Sequence, residues 1–504
     1  MGKLIVATLA SVGVLTWALF AGLRDRQEVV HVRVLAMTDF HGALESRPDP
    51  RGGGRLVGGA AVLKAAMDSA EAQCDCLTLR VDAGDQMQGT LPSNLFYGAS
   101  TVEALNLLGL DAAAIGNHEL DWSVDTLRQR IAEAQYPWLA ANVFDSVTGR
   151  RPEWAKPYHI TDLSGLRVAY IGVVTSTSKQ IIYPPRVAGL TFGHGRAAIE
   201  DVLAEVRAER PDLTILTAHA GVTCDGDTCS GEIVSMAREL DPGDVDLIVA
   251  GHPHSIVTME VNGIPIIQAG ANGAALGIAD LFRRDGENWR AELSVRPVYA
   301  DEVTPDASVL EMLSSYTRTT DSLANRMIAT LEHAPVRRDG VNELGNIMAD
   351  ALREAAQADV ALTGNGRAPL PAGPVTYGML YAVMPFDNQL MRVTIPGRDL
   401  RLLLEQALGR MNMSGVRITF DPDLDAGNRI LYVQLTDGGP LADEGSYTIA
   451  VGNFFAEGGG GYTILRDLPR EDMGMKSIDA LVAYLQGAPQ PFAIPRSRRV
   501  VSLN

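Results

Sequence analysis

The chain has 504 residues, more than a single hydrophobic core usually serves, so we expect two or three domains. Apolar residues make up 46% of the sequence and charged residues 21%, a balance that excludes a disordered or collagen-like chain. The formal net charge of −18 argues against binding a nucleic-acid polymer, because that affinity depends on Lys and Arg displacing counterions from phosphates. The negative net charge does not exclude a small anionic ligand, because one local positive site is enough to bind it.

The first 23 residues differ from the rest of the chain. Lys3 precedes an apolar run from Leu4 to Leu23, and Arg24 follows it, a pattern typical of an export signal. The run is long for a signal peptide and contains only a poor cleavage site, so an uncleaved membrane anchor is the alternative. We therefore expect an exported protein that is periplasmic, attached to the cell surface or secreted.

Four cysteines lie in two pairs, Cys74 with Cys76 and Cys224 with Cys229. Neither pair has a zinc-ribbon spacing, so we do not expect them to bind a metal. In an oxidising compartment Cys224 and Cys229 can close a small loop, whereas a bridge between Cys74 and Cys76 is expected to be strained. Free thiols at all four positions are the alternative.

Residues 29–300 alternate short β-rich apolar runs with helical patterns, which predicts a layered α/β domain. The predicted strands are Val32–Met37, Leu77–Val81, Ala112–Ile115, Val168–Val173, Leu213–Thr217 and Leu247–Ala250. The predicted helices are Ala60–Ala70, Thr126–Ala134 and Ala197–Glu209.

The remainder of the chain predicts a linker and a second, smaller α/β domain. Residues 301–331 contain an amphipathic stretch, Ser308–Leu331, that we interpret as a linking helix. Residues 332–504 form the second domain, with helices Leu344–Ala356 and Arg398–Leu408 and strands Val360–Leu362 and Tyr447–Val451.

Five segments of the first domain share one design, an apolar strand that ends in residue types that bind metals. In chain order these residues are Asp39 and His41; Asp82 and Asp85; Asn117, His118 and Asp121; His219; and His252 and His254. In a mainly parallel sheet the carboxyl ends of the strands converge on one edge, where such folds bind ligands. Carboxylate oxygens and imidazole nitrogens at that edge predict a site for two divalent metals.

The ordered set Asp-x-His, Gly-Asp, Gly-Asn-His-Glu-x-Asp, His and Gly-His-x-His resembles the calcineurin-like metallophosphoesterase superfamily. Within it, residues 29–504 resemble the 5'-nucleotidase/UDP-sugar hydrolase family almost end to end. In the second domain the matching segments begin at Asn342, Gly364, Pro385 and Asn453. The resemblance implies metal-dependent hydrolysis of 5'-nucleotides to nucleoside and phosphate, with the active site between an N-terminal metallophosphoesterase domain and a C-terminal nucleotide-binding domain.

The same resemblance implies a role for each residue of the first domain. Two divalent ions, Zn, Mn or Co, are expected, and His118 with Asp121 is expected to act as a catalytic pair. One ion would be bound by Asp39, His41 and His254, the other by Asn117, His219 and His252, with Asp85 bridging them. Many family members have Gln in place of His254, a change that keeps a ligand and alters the preferred metal.

In the second domain the resemblance implies that Phe386 and Tyr462 sandwich the base. Arg367 and Arg338 would contact the phosphate or ribose. Asn388 and Asp467 would offer hydrogen bonds to base or sugar. The sequence departs from the family at Thr363-Gly-Asn-Gly-Arg367 and lacks an arginine that some members carry upstream of Arg338. Core packing for the two rings, and a solvated surface charge for Arg338, are the alternatives.

Other substrates and another class of protein also fit these motifs. A 2',3'-cyclic phosphodiester, a UDP-sugar or a sulfur-carrier ester would need the same metal chemistry. A catalytically silent nucleotide-binding surface protein is the alternative from a different class, although the intact ligand set argues against it. In each case we expect a small-molecule nucleotide or related ester as the partner, and a monomer or dimer.

Overall fold

A computed structural model describes residues 29–49, 52–226, 228–338, 340–436 and 438–503. The predicted export signal or anchor, residues 1–23, lies outside these ranges. Within them, no helix is both long enough and apolar enough to cross a bilayer. The described chain is a mixed α/β protein of two domains, which confirms the predicted fold class.

Two six-stranded sheets form the centre of the N-terminal domain. The first has the spatial order Arg290–Pro297, Ala275–Arg283, Val30–Met37, Leu77–Asp82, Ala112–Ala114 and Trp138–Leu139. The second has the order Ile256–Val261, Ile264–Ala269, Leu247–Ala250, Leu213–His219, Leu166–Val174 and Tyr158–Leu163. Each sheet has four parallel strands with antiparallel strands beside them. All six predicted strands are present, with ends shifted by at most two residues.

The two sheets pack face to face, and helices cover their outer faces. Val34 and Val81 of the first sheet share a buried cluster with Tyr170 and Ile215 of the second. The helices of the N-terminal domain include Ala60–Ala72, Ala99–Leu108, Val124–Glu133, Glu200–Ala208 and Glu232–Glu239. Because both faces of each sheet are covered, the central strands are rich in buried apolar residues.

The linking helix is shorter than the sequence predicts. It spans Ala307–Ala324, begins where the Asp306 side chain accepts the N–H of Val309, and ends at Asn325. The prediction that it continues to Leu331 is wrong, because Met327–Leu331 pairs as an antiparallel strand with Gly373–Thr376. The helix packs on the N-terminal domain through Val309 and Leu313 and reaches the C-terminal domain near its other end.

The C-terminal domain contains a five-stranded sheet and a three-stranded sheet. The five strands have the order Asn412–Ser414, Val360–Thr363, Ser446–Gly452, Gln389–Pro396 and Arg470–Lys476. The three strands have the order Ile430–Leu435, Val416–Phe420 and Val500–Ser502. The main helices are Glu343–Ala356, Tyr377–Val383, Gly397–Ala407 and Ser477–Gly487.

Both cysteine pairs are disulfides. Cys224 and Cys229 face each other across the hairpin formed by Thr223–Asp225 and Thr228–Ser230. Cys74 and Cys76 are also joined, so the alternative of free thiols is wrong for both pairs. The Cα atoms of Cys74 and Cys76 are 5.2 Å apart, which lies within the usual range for a bridge.

Candidate active site

The predicted metal ligands meet at the carboxyl ends of the parallel strands of both sheets. Asp39 follows Val30–Met37, Asp85 follows Leu77–Asp82, and His219 ends its own strand. Asn117, His252 and His254 occupy the loops after Ala112–Ala114 and Leu247–Ala250. The fold thus brings together all seven side chains that the family resemblance implies as metal ligands.

Five of these seven residues have left-handed backbone conformations, which non-glycine residues seldom adopt. The φ angles are 50° at Asp39, 52° at His41, 54° at Asp85, 92° at His252 and 56° at His254. Such conformations cost of order 1–3 kcal/mol each, and they persist where the surrounding structure enforces them. Their concentration here indicates that the loops are shaped for a function rather than for stability.

Asp39, His41 and His254 form the first cluster of ligand atoms, all within 4.8 Å of one another. The Nε2 atoms of His41 and His254 are 3.0 Å apart. Two nitrogens that each lie about 2.1 Å from one ion, at a right angle, are separated by about 3.0 Å. The spacing therefore fits a shared divalent ion.

Asp85, His219 and His252 form the second cluster, again within 4.8 Å. His219 Nε2 lies 3.0 Å from Asp85 Oδ2 and 3.1 Å from Asn117 Oδ1. Gly116 packs against this group, and an added Cβ there would lie 2.2 Å from Asp85 Oδ1. A side chain at position 116 would therefore displace the carboxylate.

Asp85 lies between the two clusters. Its Oδ2 atom is 3.9 Å from Nε2 of His41, 3.9 Å from Nε2 of His118 and 3.0 Å from Nε2 of His219. A carboxylate in this position can contact ions bound in either cluster, as the predicted bridging role requires.

Backbone carbonyls fix the tautomers of two histidines. His41 Nδ1 lies 2.7 Å from the carbonyl oxygen of Gln88, and His219 Nδ1 lies 2.9 Å from that of Ala83. A carbonyl only accepts hydrogen bonds, so each Nδ1 carries a proton, which leaves Nε2 of each ring as the atom that can bind a metal. Metal-binding histidines commonly donate the N–H of the ring nitrogen that does not bind the metal to such a carbonyl.

The charges of the buried carboxylates require a positive partner. Burial raises the pKa of Asp39 to about 6 and raises the pKa of Asp82 well above its usual value. Burial acts to lower the pKa of His219, but the carboxylate of Asp85 outweighs it and raises the pKa to about 10. Without an ion, the compensating positive charge thus falls on His219, and divalent cations would supply it instead.

The remaining imidazoles are in the form that binds metals. Burial lowers the pKa of His41 to about 3 and the pKa values of His252 and His254 to about 4. All three are therefore neutral at pH 7, with a lone pair available.

His118 and Asp121 form a hydrogen-bonded pair at the edge of the clusters. The turn His118–Leu120 brings Nδ1 of the imidazole to 2.6 Å from Asp121 Oδ2. Burial acts to lower the pKa of His118, but the charges of Asp121 and Asp85 raise it to about 9. The imidazole is consequently a cation that faces the site, fixed in orientation by Asp121.

Glu119 also organises the site, although the sequence analysis assigned it no role. Its carboxylate accepts backbone N–H groups from Gly116, Asp85 and Gln86 at 2.7 to 2.9 Å. It is completely buried, which together with the charge of Asp85 raises its pKa to about 7. Its place inside the Gly-Asn-His-Glu motif was the signal that could have identified it.

A cavity of about 720 Å³ opens between the two domains directly above these residues. Asn117, His118, Asp121 and His252 line it from the N-terminal domain. Arg367, Phe386 and Asn388 line it from the C-terminal domain. The Phe386 ring stacks on His118 with centroids 6.0 Å apart, and the Arg367 guanidinium lies 5.1 Å from the Phe386 centroid.

Three predicted substrate residues do not line this cavity. Tyr462 is only 4% exposed and packs in the core of the C-terminal domain, where its ring is edge-on to Phe455. It is Phe455 that lines the cavity instead. Arg338 and Asp467 are exposed outside it, because the short strand Arg337–Arg338 and the turn before Arg470 lie elsewhere on the surface.

Several cavity residues were absent from the sequence-based set. Trp122, Tyr183, Arg186, Asn453 and Phe455 all line the cavity. Trp122 directly follows the Gly-Asn-His-Glu-x-Asp motif, and Phe455 lies in the segment that begins at Asn453. The sequence could therefore have identified both as candidate site residues. Tyr183 and Arg186 come from an irregular segment that carries no motif, and only the folded chain places them here.

Comparisons with known proteins agree with this architecture. A family model described as 5'-nucleotidase, C-terminal domain, matches residues 323–467, and one described as bacterial capsule synthesis protein PGA_cap matches residues 60–269. The chain is 28% identical over 457 residues to a 5'-nucleotidase of Vibrio cholerae serotype O1, covering 81% of this chain and 82% of that protein. It is also 28% identical over 520 residues to Endonuclease YhcR of Bacillus subtilis, covering 95% of this chain but only 42% of that protein.

The two-domain fold is also found in a solved structure. The 5'-nucleotidase precursor of Thermus thermophilus superposes with a TM-score of 0.81 at 25% identity, covering 94% of this chain and 99% of that one. The similarity thus extends through both domains. By the C-terminal domain model, by the Vibrio cholerae relative and by this structure, the chain is similar to 5'-nucleotidases.

Proposed function

We propose that the protein hydrolyses phosphate esters of nucleotides, releasing nucleoside and phosphate, with the help of two divalent metal ions. The observation that carries this proposal is that His252 of the second cluster, Asn117 and the His118–Asp121 pair line one wall of a cavity, while the first cluster adjoins His118 through the ring of His41. The opposite wall carries aromatic and cationic side chains of the other domain. Such a cavity can hold a phosphate on one side and a base on the other.

The residues present fit two divalent ions. Asp39, His41 and His254 would hold one, and Asn117, His219 and His252 the other, with Asp85 between them. Bound ions would supply positive charge to the phosphate oxygens and make a water molecule more acidic. Oxygen and imidazole ligands are compatible with Zn, Mn or Co.

The protein's own cations would act on the phosphate and the leaving oxygen. His118 is charged and held by Asp121, so it can donate a proton or a hydrogen bond to the leaving group. Arg367 and Arg186 both line the cavity, and within the described ranges no carboxylate forms an ion pair with either guanidinium. Each is therefore available to an anionic substrate.

Recognition of the base would use the C-terminal wall. Phe386 and Phe455 present rings to the cavity, and base stacking on such rings tolerates different bases. Asn453 also lines it, and its Oδ1 atom is buried without a hydrogen-bond partner among the described residues. An unpaired acceptor of this kind costs free energy until a donor reaches it, so the N–H groups of a base fit here.

We place this activity outside the cytoplasm. The N-terminal sequence is typical of an export signal or anchor, and both cysteine pairs are bonded. Disulfides form and persist mainly in oxidising compartments.

A hydrolysis screen, read out as released phosphate or sulfate and by chromatography of the nucleotide products, tests the proposal. The purified protein, supplied in turn with Zn²⁺, Mn²⁺ and Co²⁺, would be given 5'-nucleotides, 2',3'-cyclic nucleotides, UDP-glucose and a thiosulfate ester. Preferential hydrolysis of 5'-nucleotides is expected. Preference for another ester would retain the metal chemistry and change the substrate, whereas no hydrolysis with any metal would favour the catalytically silent binding protein.

A further inference from the structure

A separate group of reactive side chains lies at the end of the first sheet opposite the ligand loops. Cys74 and Cys76 belong to the connection between the helix Ala60–Ala72 and the strand Leu77–Asp82, and His31 lies near the start of Val30–Met37. These two parallel strands run from here to the ligand loops. With about 3.3 Å per residue, the eight-residue strand separates the cluster from Asp39 by roughly 25 Å, so it takes no part in the cavity.

A carboxylate fixes the imidazole in this cluster. His31 Nε2 lies 2.9 Å from Asp280 Oδ1. Asp280 is itself held by two hydrogen bonds of 2.9 Å from the guanidinium of Arg33, through Nε and through a terminal nitrogen. An ionised carboxylate only accepts, so the proton of neutral His31 is on Nε2 and Nδ1 keeps its lone pair.

The imidazole ring lies against a disulfide sulfur. Cys74 Sγ is nearly equidistant from the two ring nitrogens, 3.7 Å from His31 Nδ1 and 3.9 Å from Nε2, so it contacts the ring as a whole and not the lone pair of one nitrogen. An imidazole beside a cysteine sulfur stabilises the thiolate when the ring has taken up a second proton. Both cysteines are half-buried and Asp75 between them is exposed, so an external thiol can approach.

The position of this bridge gives it little structural use. A disulfide stabilises a protein mainly by restricting the unfolded chain, and the effect decreases as the closed loop becomes shorter. Cys74 and Cys76 are two positions apart, so their bridge restricts very little of the chain. Cys224–Cys229, in contrast, clamps a hairpin, and no histidine in the described ranges contacts either of its sulfurs.

We propose that Cys74–Cys76 is a redox-active disulfide that exchanges with external thiols, with His31 as the proton carrier and Asp280 as its positioning residue. The thiolate of the external thiol attacks Cys76 Sγ, the Cys74–Cys76 bond breaks, and Cys74 Sγ leaves with the electron pair. The proton that the external thiol released on forming its thiolate is taken up by the His31 imidazole and passes from there to Cys74.

A second external thiol completes the reaction. Its thiolate attacks the external sulfur of the mixed disulfide, so that Cys76 leaves as a thiolate and is protonated. Two thiols are thereby oxidised to one disulfide, and the bridge takes up two electrons and two protons. The opposite direction reoxidises the pair, and the composition of the thiol pool sets which direction prevails.

The test compares the two bridges of the same molecule. The full chain would be incubated with dithiothreitol or glutathione at pH 7, and free thiols would be alkylated and located by peptide mass spectrometry. Cys74–Cys76 is expected to be reduced roughly tenfold faster than Cys224–Cys229, since an adjacent imidazole makes Cys74 the better leaving group. Glutathione is expected on Cys76, not on Cys74.

His31→Asn is expected to slow reduction of Cys74–Cys76 roughly tenfold, with phosphate release and Cys224–Cys229 unchanged. His159→Asn, at an exposed histidine on another strand, is the matched control and is expected to have no effect. Since the assay follows disulfides and not hydrolysis, its outcome is independent of the proposed nucleotidase activity.

Four results would overturn the proposal: equal reduction rates for the two bridges, no effect of His31→Asn, a glutathione adduct on Cys74, or free thiols at both positions in freshly purified protein. If the His31 variant fails to fold, the pH dependence of Cys74 alkylation in the reduced wild-type protein tests the proposal instead. Alkylation of reduced Cys74 that stays fast at pH 6 supports the proposal. A rate that rises only towards pH about 8.5, as for an ordinary thiol, contradicts it.

Discussion

Glu119 Oε2 lies 2.9 Å from the backbone nitrogen of Asp85, so a side chain in one ligand loop fixes the main chain of another. The same oxygen accepts the N–H of Gly116, and Oε1 accepts the N–H of Gln86. Asp85 has a left-handed conformation at this point, with φ at 54°. These hydrogen bonds therefore hold the strained residue whose carboxylate lies between the two clusters.

The first prediction is that Glu119→Gln weakens metal binding. The amide nitrogen of glutamine cannot accept, so two backbone N–H groups lose their partner and the loop around Asp85 relaxes. Losing such an orienting contact typically reduces metal affinity 10–100-fold. Titration calorimetry with Mn²⁺ or Zn²⁺ measures this effect. Glu153→Gln, at an exposed glutamate, is the control, and equal affinities in the two variants would remove Glu119 from the positioning role.

The second prediction concerns Asp85→Asn. A neutral amide is a poor bridge between two cations, so both metal occupancy and activity are expected to fall sharply. Elemental analysis after dialysis, together with phosphate release, measures the two quantities. A fully active Asn variant that retains two ions per chain would show that Asp85 does not bridge them.

The third prediction separates catalysis from metal binding at His118. His118→Asn is expected to lower turnover on the order of a hundredfold or more, because a positioned cation and proton donor is lost. Metal content is expected to stay near that of the wild type, since the imidazole is paired with Asp121 and is not one of the predicted ligands. Loss of metal in this variant would instead identify His118 as a ligand.

The fourth prediction is that removal of the metals destabilises the protein. The carboxylates of Asp39 and Asp85 are completely or almost completely buried, and they lose the charge of the ions when the metals leave. Ligands that bind only the folded state raise its stability, so a chelator is expected to lower the melting temperature. Calorimetry with EDTA, and then with metal restored, checks this; an unchanged melting temperature would contradict the assigned site.

The ligand loops could be predicted from the sequence because each follows an apolar strand and has Asp or His at a fixed distance from its end. The sequence also held a hairpin signal that the analysis did not use. Asn262 and Gly263, both with positive φ, join Ile256–Val261 to Ile264–Ala269. That Asn-Gly pair predicts the hairpin that follows the His252 loop in the second sheet.

Other features depend on contacts that no local pattern contains. Arg186 reaches the cavity only because its irregular segment folds beside the C-terminal domain. Tyr462 follows a run of four glycines, and sequence alone could not show whether its ring turns outwards or into the core. The choice is made by packing, because Phe455 fills the position next to the cavity and Tyr462 packs behind it.

The last prediction uses this difference between three aromatic residues. Phe386 and Phe455 line the cavity, so truncating either to Ala is expected to weaken nucleotide binding by roughly 1 to 3 kcal/mol, the range for base stacking. Hydrolysis of p-nitrophenyl phosphate, which lacks a base, is expected to change little, since the ligand clusters lie in the other domain.

Tyr462→Ala is expected to behave differently because the ring is buried in the core. Removing a large buried side chain costs about 3 to 5 kcal/mol of stability, so the melting temperature and both activities should fall together. The three variants would be compared by calorimetry and by kcat/KM for a 5'-nucleotide and for p-nitrophenyl phosphate. A stable Tyr462→Ala protein that loses only nucleotide hydrolysis would restore Tyr462 as a stacking residue, because a core residue cannot be lost without a cost in stability.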